Sequence, residues 1–197
     1  MIRQLLAAGH LLLAGTFLPA ASADLLVHWR FDEGSGSVAH DASGNGLDGS
    51  VTAAWVPSGS GTALSFDGTA ATQVRLELPE GKRLGKASWT VAAWVNPAQL
   101  GMQSPEGQNA RRLFSYGPWP AAHIVLDLGG AGTFSCFMCY EDAAGKRIDA
   151  GAGSAAVLRV GEWAHVAMVC DREAGQLRAY VNGLLQGSGE LPAGFAG

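Results

Sequence analysis

Glycine interrupts this chain of 197 residues 28 times, and the apolar runs between the glycines are short. Glycine suits tight turns and bulges and weakens helix interiors, so a chain punctuated this way is built of strands joined by turns. Periodicity agrees. Leu25, Val27, Trp29 and Phe31 share one parity while His28 and Arg30 share the other, which is the period of two of a half-buried strand. Further strands are expected over 51–55, 63–66, 73–76, 89–95, 112–116, 123–128, 133–140, 163–170 and 177–181. Asn182-Gly183 then separates 177–181 from 184–186, and Asn-Gly between alternating runs marks a hairpin because both residues tolerate positive φ. The Gly- and Pro-containing stretches 33–36, 41–48, 57–61, 97–108, 116–122 and 145–154 read as loops. Strands at this spacing, with no helices between them, stack as two antiparallel sheets.

The first residues follow a different rule. Arg3 precedes an apolar stretch over 5–18, which ends at Ala21-Ser22-Ala23. That order is expected of a secretory signal peptide over 1–23, cut before Asp24. Gly9, His10 and Gly15 break the stretch, which is too short to cross a bilayer comfortably, so no membrane span is expected in the mature chain. About 174 residues then remain over 24–197, the size of one domain. The 17 acidic and 13 basic residues are dispersed without a basic run, which argues against a nucleic-acid or anionic-membrane partner.

Cys136, Cys139 and Cys170 are an odd set for an oxidising compartment. Cys136 and Cys139 sit three apart on an expected strand, facing opposite ways roughly 10 Å apart, too far for a mutual bond. Buried thiols are expected, with a cross-strand bond from Cys170 to one of the pair as the alternative. A single Cys-x-x-Cys without a second pair of ligands is a poor zinc site.

Six segments in order carry a resemblance: VHWRFDEGSG (27–36), HDASGNGLDG (40–49), ALSFDG (63–68), WTVAAWVNP (89–97), GEWAHVAMV (161–169) and LRAYVNG (177–183). Together they resemble the laminin-G-like jelly-roll domains of bacterial secreted proteins, within the concanavalin A-like lectin/glucanase superfamily. The resemblance implies an all-β, two-sheet antiparallel jelly-roll sandwich used for carbohydrate or protein binding at the cell surface. The family pattern continues past the hairpin into a further strand bearing an acidic residue, which is not reached by Gly194 to Gly197, so the resemblance implies a jelly roll that is truncated or takes its closing strand from elsewhere.

Calcium is the expected cofactor, since a hard cation takes carboxylate, amide and backbone oxygens from a flexible loop. Asp41, Ser43, Asn45 and Asp48 offer such oxygens, although the same residues are good turn formers without any metal. A second set would join Asp32 to Asp67 and the absent C-terminal acid. Catalysis on a sugar needs two carboxylates facing one another across it, roughly 5 to 10 Å apart. No expected strand offers Glu-x-Asp or Glu-x-Glu, and no nucleophile elbow is present. Trp29, Trp89 and Trp163 share a parity with aliphatic neighbours and read as core, as does His165. Sugar contact needs exposed aromatic faces. Trp119, held between Pro118 and Pro120 beside Tyr116, is one candidate, with loop packing as the alternative. Trp94, at the parity of Thr90 and Asn96, is another; it faces a groove or packs under a loop.

The sequence thus points to a non-catalytic extracellular module for carbohydrate or a protein partner, linked to further domains of a larger protein. The alternative is a structural ancillary domain attached to a secreted enzyme or surface assembly.

Overall fold

The computed structural model describes residues 24–82, 84, 87–100, 110–117, 122–141 and 144–192. The expected signal peptide, and Trp119 in the 118–121 stretch, lie outside the described residues. Near the N-terminus, β1 (Val38–Ala39), β2 (Gly49–Val51) and β5 (Val74–Arg75) make a small sheet, and β3 (Ala54–Ser58) pairs with β4 (Gly61–Ser65). The rest is a sandwich of two four-stranded antiparallel sheets. The first takes β7 (Ala110–Tyr116), β8 (Ala122–Gly129), β9 (Phe134–Glu141) and β10 (Arg147–Gly153), in the order β10-β9-β8-β7. The second takes β6 (Trp89–Val95), β11 (Ala164–Asp171), β12 (Gln176–Val181) and β13 (Leu184–Glu190), in the order β13-β12-β11-β6. This is the all-β sandwich the sequence implies. No helix among the described residues is long and apolar enough to cross a membrane.

One parity of each central strand supplies the core: Ile124, Leu126 and Leu128; Phe134, Cys136 and Met138; Ala164, Val166, Met168 and Cys170; Leu177, Ala179 and Val181. Phe134, Leu126, Met168 and Leu177 are essentially sealed from water, and each such side chain contributes about 1.5–3 kcal/mol by leaving it. The β12–β13 hairpin turns on Asn182 (φ 51°) and Gly183 (φ 76°), the positive pair that Asn-Gly tolerates. The Asn182 side chain also accepts the amide of His165, fixing the turn to β11.

Several expectations are corrected. The 145–154 stretch is not a loop: residues 147–153 form edge strand β10. Its glycines, Gly151 and Gly153, have no positive φ of a turn, and the close contact is made by the glycines of β13. A Cβ on Gly187 or Gly189 would collide with the carbonyl oxygen of Gly153 or Gly151, so the edges of β10 and β13 meet through backbone alone and close one side of the sandwich. The 57–61 stretch is the tip of the β3–β4 hairpin, with Gly59 at φ 56°. Residues 51–55 divide between β2 and β3. The 25–31 segment forms no strand, only a single bridge from Trp29 to Asp41. Its backbone is taken up by side chains of the following loop, and Phe31 adopts φ 56°.

The parity of β11 is also corrected. The even residues face the core, so Trp163 is 45% exposed instead of buried and His165 points outward. The outward parity of this strand carries Ala167 and Val169 beside His165, so periodicity alone does not choose clearly between the two faces. Trp89 is half-buried against the main core, and Trp29 packs with Phe31 on a small separate cluster of Ala39, Val51 and Ala53.

Candidate functional site

Of the exposed aromatics Phe66, Trp94 and Trp163, Trp94 stands on the outer face of the β13-β12-β11-β6 sheet, with the half-buried Tyr180 two strands away. Trp94 on β6 stands opposite His165 on β11. Their rings meet edge to face at 5.4 Å and 61°, and Trp94 is 65% exposed. The next row across the sheet is Ala92, Ala167, Tyr180 and Leu185; the row beyond is Thr90, Val169, Arg178 and Ser188. Ala167 has outward parity and is nevertheless buried. With Ala92 it forms a low floor between taller side chains: Trp94 and His165 on one side, Tyr180 and Leu185 on another.

The polar groups of this face divide into two kinds. At one end Arg178 donates from Nη1 to Asp171 Oδ2 at 3.0 Å and from Nε to Gln176 Oε1 at 2.9 Å. The Asp171 carboxyl is held below its usual range, first by the amide of Ala174, against desolvation and with the help of Arg178. Around the alanine floor, in contrast, the Trp94 indole N–H, the His165 ring nitrogens and the Tyr180 hydroxyl have no hydrogen-bond partner among the described residues. An amphipathic ligand needs this pairing of aromatic surface with unspent polar groups.

Of the residues expected to bind ligand, Trp94 therefore lies on an open face. Tyr116 does not: it pairs with Ile124 and packs half-buried against the main core. Trp119 is outside the described residues. His165 and Tyr180 were not singled out by the sequence. The signal for them is the cross-strand register, which depends on knowing that β6, β11 and β12 are neighbours.

The expected calcium ligands form a hydrogen-bonded knot. Asp41 Oδ1 accepts the amides of His28 and Ser43, both at 2.9 Å, while Oδ2 accepts the Ser43 hydroxyl at 2.7 Å and the Leu47 amide at 3.0 Å. Desolvation opposes ionisation of Asp41, but these four donors outweigh it and hold the carboxyl well below the usual range. Asp48 accepts the Asp41 amide at 2.8 Å and faces His40 Nδ1 at 3.1 Å. Asn45 donates to the carbonyls of Leu25 and Leu26 and accepts from Lys82. Asp32 lies apart, paired with Arg30, and Asp67 is bonded to Thr69 and Thr72. Among the described residues, no group of three or more His, Cys, Asp or Glu side chains is placed to hold a metal ion. As arranged, the Asp41 oxygens are spent on the chain's own donors, and the set does not fit a cation.

The outer face of the other sheet is ionic. Arg112 donates from Nε to Asp127 Oδ1 at 2.6 Å and lies 3.3 Å from His123 Nε2, while His123 Nδ1 is 3.0 Å from the carbonyl of Gly117. Arg147 bonds Asp149 and stacks over the Phe137 ring at 5.5 Å. The three cysteines are buried and form no disulfide with one another. Burial pushes the Cys136 thiol up to about 12 and raises Cys139 and Cys170 as well, which makes them poor nucleophiles. Buried thiols were the expectation; the alternative bond from Cys170 is not formed.

A laminin G family profile, described as the concanavalin A-like lectin/glucanases superfamily, matches residues 67–196. That span takes in both four-stranded sheets and begins after the first three resembling segments have largely passed. No curated protein matches the chain significantly.

Proposed function

Since the chain belongs to the concanavalin A-like lectin/glucanases superfamily, we propose that it is an exported, non-catalytic module that binds carbohydrate on the outer face of the β13-β12-β11-β6 sheet. The carrying observation is the exposed Trp94 ring braced by His165. A sugar ring laid on that indole would find the His165 ring nitrogens beside it, with the Tyr180 hydroxyl in the next row of the sheet.

The non-catalytic reading rests on the carboxylates of this face. Asp171 and Glu190 flank Gln176 at its far end. A glycosidase needs one carboxylic acid with a raised pKa to protonate the leaving group. Asp171 is lowered and tied to Arg178, which suits structure and ligand orientation instead. Export rests on the leader-like 1–23 segment, and an intact mass beginning at Asp24 in the secreted form is the expected readout. A glycan array with the full chain and its Trp94→Ala variant tests the ligand class. Signals lost in the variant support this face, while binding of purified extracellular proteins with no glycan signal would give the face to a protein partner.

A further inference from the structure

The proposed sugar face has a shape that bears on which part of a polysaccharide it takes. Strands lie about 4.8 Å apart and residues of one parity about 6.7 Å apart, so Trp94 and Tyr180, two strands and two residues removed, stand roughly 12 Å from each other at Cα. One pyranose does not reach from one to the other. Trp94 and Leu185 are on opposite outer strands of the sheet and are 65% and 55% exposed, so the face is open at both ends.

Its charge is equally specific. The one cation on these rows, Arg178, is already bonded to Asp171 and Gln176, leaving no free positive charge for a uronate or sulfate. The unspent groups, the Trp94 N–H, the Tyr180 hydroxyl and the His165 ring, are matched to hydroxyls.

Building on the proposed carbohydrate reading, we propose that the site takes an internal stretch of a linear, uncharged polysaccharide, several sugar units long, lying across Trp94, the Ala92–Ala167 floor and Tyr180. A chain-end or single-sugar ligand would engage only one of the two aromatic positions. Affinity then rises with chain length until both are covered.

Affinity electrophoresis of the full chain against a panel of soluble neutral and acidic polysaccharides identifies the retarding polymer. Calorimetry with its oligosaccharides, monomer through hexamer, then reads the length dependence. The expected result is at least a tenfold gain from monomer to the plateau length, equivalent to about 1.4 kcal/mol. Tyr180→Ala should flatten the gain, and Tyr180→Phe, which keeps the ring, should keep most of it. Trp94→Ala should abolish retardation without changing the circular-dichroism melt. A monomer binding as tightly as a hexamer, or retardation by acidic polymers alone, overturns this inference and leaves sugar binding standing. No retardation by any polymer, or retardation indifferent to Trp94→Ala, overturns the carbohydrate reading of this face as well. So does a Trp94-dependent dimer in sedimentation, which would assign the face to a second copy of the chain.

Discussion

The two halves of this molecule are held by different forces. The sandwich of β6 to β13 is closed by an apolar core with Phe134, Val166, Met168, Cys170, Leu177 and Ala179 at zero exposure. The N-terminal region from residue 24 to 75 has only a small cluster of Ala39, Val51 and Ala53 with partly buried neighbours. It is shaped instead by side chains bonding to backbone: Asp41 to three amides, Asn45 to two carbonyls, Thr52 to the 71–73 segment, Asp67 to Thr69. A loop rich in Asp, Asn, Ser and Gly resembles a ligand loop because both uses need oxygens on a tight turn. Here the oxygens face inward, toward the chain itself.

The largest effects should fall in the sandwich. Phe134→Ala removes a fully buried ring and should cost about 3–5 kcal/mol, read from urea unfolding of the full chain. Next comes the seam between the sheets. Gly187→Ala places a methyl against the Gly153 carbonyl, and the resulting overpacking should cost about 1–3 kcal/mol. A neutral result there would show that β10 and β13 separate without penalty, and that the sandwich is closed by its core alone.

The N-terminal region should respond differently. Asp41→Ala should leave unfolding of the sandwich nearly unchanged while raising hydrogen exchange at the amides of His28, Ser43 and Leu47. The same region should be acid-sensitive. Asp41, Asp48 and Asp67 all have lowered folded-state pKa values. A lowered carboxylate contributes stability that is full above its unfolded pKa, near 3.9, and is lost as pH falls below it toward the folded value. Relative to the intrinsic exchange rate at each pH, exchange at His28 and Leu47 should therefore stay slow near neutrality and accelerate below about pH 4. Loss of the sandwich signal before that acceleration would reverse the comparison.

How much of this was legible beforehand differs by region for a physical reason. In the sandwich, β6 was readable to the residue and β7, β8, β9, β11 and β12 to within a residue or two, because a half-buried strand has to alternate. The strand that failed, β10, is Arg-Ile-Asp-Ala-Gly-Ala-Gly, where two in-strand glycines look like turn glycines although neither has a turn's positive φ. The face of β11 failed because the outward side of Ala164 to Cys170 carries Ala167 and Val169 beside His165 and so looks nearly as apolar as the inward side. In the N-terminal region the alternation of Leu25 to Phe31 was real, yet no neighbouring strand takes it up, and local alternation does not report a partner. For the site, the parity Trp94 shares with Thr90 and Asn96 left open whether it faces a groove or packs under a loop, and its exposure is seen only in the structure. Its companions His165 and Tyr180 come from segments more than 70 residues away, joined only by strand order.

The smallest expected effect is the response to calcium, and it is the one that most sharpens the comparison. A cation that binds only the folded chain at about 100 times its dissociation constant adds roughly 2.7 kcal/mol and raises the melting temperature by several degrees. To enter the 41–48 loop it would have to turn four hydrogen-bond donors away from Asp41, each then left facing a positive charge. Millimolar calcium, or a chelator, should therefore leave the melting curve of the full chain superimposable on that of the untreated protein. Asp41→Ala should loosen the loop equally in either solution. A calcium-dependent rise that disappears in Asp41→Ala would mean that the carboxylate trades its internal donors for a metal, and that the N-terminal region is a ligand loop after all. A rise that survives the substitution would place calcium elsewhere on the chain and leave the knot intact.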